Sequence, residues 1–210
     1  MNVKEVKKIL GPLFKGIKGT LISCNERNRR DISSNVYVYG EAELDSMVKI
    51  FDVVSPKKGE VFYDMGSGVG KQVISAALLF DFSAVKGIDI MQDLYKTSID
   101  VLSRFNEEFA PKLPPSKVLP EIEFILGDFL KYDISDADVI FSCSTCFDDE
   151  MMESIAEKVE KLKTGSRVIT LTKSLPSNEF EEIHHCFYPM SWGTSQVFIY
   201  KKLEKGSSAG

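Results

Sequence analysis

The sequence predicts an α/β domain: a mostly parallel, seven-stranded sheet flanked by helices, with a short helical cap at the N-terminus. Three observations carry this expectation. From Val61 onward, short runs rich in β-branched and aromatic residues alternate with longer runs of helical period, the pattern of parallel strands joined by crossover helices. The run at residues 61–65 feeds straight into closely spaced glycines and then a helix, as happens where a central strand turns sharply at its carboxyl end. The 210 residues, 43% of them hydrophobic, are enough for one full core and too few for two large ones.

Taken in order, Val3, Val6, Ile9, Leu10, Leu13, Phe14 and Ile17 recur at spacings of three and four. They predict a short helix interrupted at Gly11-Pro12 and restarted with Pro12 in its first turn. Residues 32–39 mix β-branched and aromatic side chains with Ser and Asn. Residues 41–54 read as a helix through Leu44, Met47, Val48, Ile50 and Phe51, closed by Ser55-Pro56 and Gly59. Strands are expected at 61–65, 84–90, 122–126, 139–142, 167–172 and 197–200, and helices at 70–79, 91–109 and 148–162. Residues 110–120, with four prolines, form a loop at the sheet edge. The domain proper spans 55–204, preceded by the cap over 1–54 and followed by a disordered tail at 205–210. No internal repeat is present.

Composition narrows the function. No run approaches the eighteen apolar residues of a membrane span, and no apolar stretch follows a charged N-terminus. A soluble, cytoplasmic or nuclear protein without a membrane partner is expected. Cys24, Cys143, Cys146 and Cys186 are scattered, which suits reduced thiols rather than a disulfide scaffold. Net charge is −5, but residues 1–30 hold eight Lys/Arg against two acids, leaving −11 on the remainder. That basic segment is either a solvated helix face with a charged loop or a weak contact for nucleic acid or an acidic protein face.

The chemistry concentrates at Asp64-Met65-Gly66-Ser67-Gly68-Val69-Gly70-Lys71. A dinucleotide fingerprint, Gly-x-Gly-x-x-Gly, would place its third glycine where Lys71 stands. An acid directly before the loop suits a ligand with an ammonium and a sulfonium better than a pyrophosphate, which favours S-adenosylmethionine. Asp89 ends the next strand, where a carboxylate can accept hydrogen bonds from both ribose hydroxyls. Asp128 and Phe129 follow the third strand, offering a carboxylate to an adenine amine and a wall for its ring. One acid alone is a solvated loop residue more often than a ligand; three acids after consecutive strands argue for one Rossmann-like cleft.

With these residues in hand, the chain resembles class I S-adenosylmethionine methyltransferases. More closely, it is similar to the disruptor-of-telomeric-silencing (DOT) family of non-SET histone-lysine methyltransferases. Tyr39-Gly40-Glu41 stands at that family's Tyr-Gly-Glu-Thr loop, which covers the methionine end of the cofactor, and residues 64–70 match its Asp-Leu-Gly-Ser-Gly-Val-Gly. Gly127-Asp128-Phe129-Leu130 and Val139-Ile140-Phe141 also have counterparts, over about residues 38–172. Two departures stand out. Ala42 replaces the threonine of the cover loop, and Cys143-Ser144-Thr145-Cys146-Phe147 replaces the Asn-Asn-Phe-Ala-Phe that lines the lysine channel.

The resemblance implies a cofactor set of Tyr39, Glu41, Asp64, Gly66, Ser67, Gly68, Gly70, Asp89, Ile90, Asp128, Phe129 and Ser142. It implies an acceptor side of Tyr39, Ser144, Thr145 and Phe147, with Phe147 and Trp192 walling the channel. Ser144 and Thr145 are alternatively loop residues, with Thr145 or Asp148 capping the following helix. Cys143 and Cys146 invite a metal or redox reading, with Cys186, His184 and His185 as distant partners, but the paired ligand spacing is missing and no metal is expected. The implied reaction is methyl transfer to a protein lysine, with a histone as a candidate protein. The alternatives are a small-molecule or non-lysine protein acceptor, or a cofactor-binding module without catalysis. Positioning can supply up to about 7 to 11 kcal/mol of such a barrier. A lysine acceptor must first be neutral, which costs roughly 4.6 kcal/mol at pH 7.

Overall fold

The computed structural model describes residues 1–32 and 39–204. Residues 33–38, within the 32–39 run, and the expected tail at 205–210 lie outside the described residues. The chain opens with α1 (Val3–Leu13), started by a reciprocal cap in which the Glu5 N–H donates to Asn2 Oδ1 at 3.0 Å and the Asn2 N–H to Glu5 Oε2 at 2.9 Å. The expected break at Gly11-Pro12 does not occur. Pro12 sits in the last turn, where its missing N–H forfeits a single bond, and the helix ends one residue later at Leu13. The restarted helix is likewise absent: Gly16 turns the chain at φ +84° into α2 (Gly19–Arg29), which the sequence did not announce.

Helix α3 (Leu44–Val54) begins three residues later than expected, because Ala42 forms an isolated antiparallel bridge to Met190. The sheet follows: β1 (Val61–Met65), β2 (Ala84–Asp89), β3 (Glu121–Leu126), β4 (Val139–Ser142), β5 (Arg167–Leu171), β6 (Phe180–Met190) and β7 (Gly193–Lys202). Its order is β3-β2-β1-β4-β5-β7-β6, with the first five strands parallel and β7 antiparallel to both β5 and β6. The seven strands match the expected sheet, although β6 was not among the strands placed from sequence. The crossovers are α4 (Lys71–Leu79), α5 (Gln92–Arg104, continued by a π-turn over Phe105–Phe109) and α6 (Asp149–Val159).

Alternation along the strands divides the core. Phe62, Val85, Val139, Phe141, Ile169 and Val197 face α1, α3 and α4, whereas Tyr63, Met65, Ile88, Ile140 and Val168 face α6. Phe62, Met65, Ile74 and Phe141 are essentially inaccessible, each contributing about 1.5–3 kcal/mol of apolar burial. Because both faces are covered, β1 has no solvent side, which is why its run reads as continuously hydrophobic up to Asp64. Among the described residues no helix is long and apolar enough to cross a membrane.

Candidate active site

At the carboxyl ends of β1 and β2 the chain builds one cleft. The N–H groups of Gly66 and Ser67 both donate to the Ile88 carbonyl, at 2.8 and 3.1 Å, locking the glycine loop against the end of β2. Gly68 has φ +56°, and a Cβ there would lie 2.1 Å from Cε2 of Tyr39; only glycine lets the Tyr39 ring lie so close to the loop. Gly70 starts α4 at φ +86°, with the Phe124 ring 2.3 Å from where a Cβ would stand.

Asp64 is 2% exposed and has no hydrogen-bond partner among the described residues. Burial, and then the charge of Asp89, raise its carboxyl well above the ordinary carboxylate range. A largely buried carboxylate that lines a recess without an ion-pair partner among the described residues favours a cation at that point. Asp89 is better provided: Oδ2 accepts from the Gly68 N–H at 2.7 Å and Oδ1 from the Met91 N–H at 2.8 Å. Burial outweighs those two bonds and pushes it up to about 6.

The segment after Tyr39 is sewn down on three sides. The Tyr39 hydroxyl donates to Glu41 Oε1, and Lys71 Nζ pairs with Glu41 Oε2 at 2.7 Å. Burial and the Glu41 charge hold the phenol far above its usual range. Gln72 Nε2 donates to the Ala42 carbonyl at 2.7 Å, and the Ser191 N–H to the Glu41 carbonyl at 3.0 Å. The strap therefore joins α4 to the β6–β7 turn.

Two cavities meet beneath this strap. The first, of about 80 Å³, is lined by Met65, Gly66, Asp89, Ile90, Met91, Leu94, Phe129 and Phe147, with Met151 at its edge. The second, of about 410 Å³, is lined by Thr20, Thr145, Cys146, Ser191 and Trp192. Tyr39, Gly40 and Cys143 belong to both. Asp64, Ser67, Glu41 and Lys71 surround a narrow recess that continues from the first cavity at Tyr39, Gly40, Gly66 and Cys143.

Of the expected residues, Tyr39, Glu41, Asp64, Gly66, Ser67, Asp89, Ile90 and Phe129 thus come together, and Gly68 and Gly70 shape the loop that holds them. Four others stand differently. The Asp128 carboxylate turns into its own turn, accepting from the Leu130 N–H at 2.9 Å with Lys131 Nζ at 3.4 Å, so that Phe129 alone faces the cavity. Ser142 is fully buried at the end of β4, its hydroxyl unpaired among the described residues, and it reaches neither cavity wall. Ser144 is also fully buried and clips the loop to β5, donating to the Leu171 carbonyl at 2.8 Å and accepting from its N–H at 3.0 Å. Its hydroxyl is therefore not turned to an acceptor. Phe147 lies on the first cavity, 6.2 Å from the Phe129 ring, and not with Trp192 on the second.

Thr145 does line the larger cavity, 3.1 Å from Thr172 Oγ1, and the cap of α6 is Asp148, which accepts from the Met151 N–H at 2.9 Å. Burial and the nearby Asp64 push the Cys143 thiol up to about 12, and it lines both cavities. His184 contacts Tyr188 at 3.0 Å and His185 contacts Glu182 at 2.7 Å. Sequence reasoning missed Met65, Met91, Leu94 and Met151 as lining residues; Met91 and Leu94, one turn apart just after Asp89, were the available signal.

Comparison with known proteins bears on the fold and the family. The family model "Histone methylation protein DOT1" matches residues 25–188. Among curated proteins, the histone-lysine N-methyltransferase, H3 lysine-79 specific, of Kluyveromyces lactis is 29% identical over 143 residues, 67% of this chain and 25% of that protein. That of Caenorhabditis elegans is 31% identical over 149 residues, covering 68% of this chain and 15% of its own length. That of Aspergillus fumigatus is 24% identical over 197 residues, 91% and 38% respectively. The matched stretch thus spans well under half of each of these relatives. Among solved structures, an RNA methyltransferase from Salinibacter ruber in complex with S-adenosyl-L-homocysteine superposes with TM-score 0.56 at 23% identity, covering 80% of this chain and 95% of that one. Magnesium protoporphyrin IX methyltransferase from Synechocystis gives 0.58 at 15%, covering 90% and 99%. These two share the fold, and with a family model matching residues 25–188 the chain belongs to the histone methylation protein DOT1 family.

Proposed function

We propose that this chain transfers a methyl group from S-adenosylmethionine to a lysine of a protein, with a histone as the first substrate to test. The observation that carries the reading is the meeting of the two cavities at Tyr39, Gly40 and Cys143, with the largely buried carboxylate of Asp64 on the cofactor side. The residues present suit the cofactor: Asp64 for its ammonium, Asp89 for the ribose hydroxyls, and Ile90 and Phe129 as walls for adenine. When bound, it supplies an electrophilic methyl group on a sulfonium.

The chain's own residues then have to hold and neutralise an amine. The larger cavity offers hydroxyl oxygens at Thr145 and Ser191 and an aromatic wall at Trp192. Among the described residues that line it there is no carboxylate, so none of them stabilises an ammonium by pairing. Desolvation lowers a lysine pKa by up to about 3 to 5 units, which offsets the cost of deprotonating it at pH 7. A dedicated base is not required.

A partner with an acidic surface, such as nucleosomal DNA, is supported by the exposed Lys4, Lys8, Lys15 and Lys18 on the cap, and a nuclear site of action follows from the reading. The test is transfer of labelled methyl groups to nucleosomes, free histones and a small-molecule extract, with the acceptor identified by mass spectrometry. Label on lysine supports the proposal. Label only on small molecules or other side chains, or binding without transfer, overturns it.

A further inference from the structure

Helix α2 supplies a buried carboxylate that plays no part in the site as described so far. Glu26 is fully buried, and its two oxygens face the start of α5. Oε1 accepts from the Gln92 N–H at 3.0 Å and Oε2 from the Asp93 N–H at 2.7 Å. These are the first two donors of α5, whose own cap residue, Met91, makes no side-chain cap. A helix N-terminus presents unpaired donors and partial positive charge, so here the capping acid comes from another helix. Arg30 holds Glu26 Oε1 at 2.9 Å, and Arg29 holds Asp93 at 2.7 Å.

The start of α5 in turn shapes the ribose side of the cleft. Met91, directly before Gln92, donates its N–H to Asp89 Oδ1 at 2.8 Å, and Asp89 Oδ2 takes the Gly68 N–H at 2.7 Å. Asp89, Ile90 and Met91 all line the cofactor cavity. The other end of α2 reaches the opposite side of the strap: a Cβ on Gly19 would meet the Tyr39 ring at 2.3 Å, and Thr20 lines the acceptor cavity.

We propose that Glu26 is a positioning residue for the cofactor: by capping α5 from α2 it fixes the Asp89–Ile90–Met91 wall, so that affinity for S-adenosylmethionine depends on the docking of α2 against α5. The inference rests on the cofactor site proposed above. Capping across elements matters most where the capped turn carries a ligand, because hydrogen bonds between N–H groups and a buried carboxylate are stronger than neutral ones.

The test is calorimetric titration of the full chain with S-adenosylmethionine in wild type, Glu26→Ala, Glu26→Gln and Val6→Ala. Val6→Ala truncates a core residue of α1 and serves as a destabilised control. Glu26→Ala is expected to weaken binding about tenfold or more, from two charge-assisted bonds. Glu26→Gln keeps one acceptor and is expected to recover to about threefold of wild type, whereas Val6→Ala binds as wild type does. The proposal is overturned if folded Glu26→Ala binds within about twofold of wild type, or if Val6→Ala loses as much affinity. Should Glu26→Ala fail to fold, Glu26→Gln decides, and affinity equal to wild type overturns the proposal. Failure of wild type to bind would instead remove the cofactor site itself.

Discussion

Replacing Asp64 by Asn separates ligand binding from folding, because the two effects have opposite signs. In the free protein the Asp64 carboxyl is buried, unpaired among the described residues, and raised well above its ordinary value. A group whose folded-state pKa is raised contributes stability below its unfolded value, near 4, and loses it as pH rises through the folded value. Asp64→Asn removes that loss. The variant should melt with wild type at pH 4 and above it at pH 7, by a few degrees if about 1 kcal/mol is recovered. Binding of a cation at this point goes the other way. Breaking a buried ion pair by removing one partner costs about 3 to 5 kcal/mol, so affinity for S-adenosylmethionine should fall by roughly 150-fold or more. Thermal melts at the two pH values and calorimetry at pH 7.5 make the measurement. A variant that melts lower than wild type at pH 7, or that binds within tenfold of it, would refute the idea that this carboxylate waits for a cation.

Gly68→Ala places a Cβ 2.1 Å from the Tyr39 ring at φ +56°; it should cost about 1 kcal/mol or more in stability and more than tenfold in cofactor affinity, read by melting and calorimetry on one preparation. Because Asp89 is held at about 6 and accepts hydrogen bonds best when ionised, cofactor affinity should drop as pH falls through about 6 and stay level above 7, while Asp89→Asn flattens that profile. Ser144→Ala leaves both backbone groups of Leu171 without the hydroxyl that now serves them; a loss of about 1 to 3 kcal/mol in urea unfolding is expected, with cofactor affinity unchanged. Trp192→Ala opens the wall of the larger cavity, the proposed acceptor site, and should raise the acceptor KM severalfold while leaving cofactor affinity within twofold.

The parallel half of the fold was legible because burial on both faces leaves its mark in composition. Strands β1, β4 and β5 are buried along nearly their whole length, and the predicted boundaries agree with the observed ones to within a residue. Strand β6 was invisible for the complementary reason. At the sheet edge only Phe180, Tyr188 and Met190 are buried, and Glu181, Glu182, His184 and His185 give it neither a continuous apolar run nor clean alternation. Helix α2 hid differently. Its buried positions, Gly19, Ser23 and Glu26, do fall at helical spacing, but none of them is hydrophobic, and Leu21 is 53% exposed. A period carried by small and charged residues cannot be told from a charged loop without its partners.

The same contrast runs through the site. Features that act through backbone shape, such as the glycine loop and an acid at a strand end, were readable because few residue types satisfy them. Features that depend on where a side chain turns were not. Asp128 and Ser144 carry the right groups in the right places along the chain, yet local hydrogen bonds to Leu130 and Leu171 draw them into the scaffold. Glu26 is the converse: a charge in a basic segment, reading as solvated, that is in fact fully buried on the turn following Asp89. The basic cap therefore has two faces with separate duties. Its outer lysines face solvent, whereas its inner face meets the cofactor wall at Glu26 and the strap at Gly19.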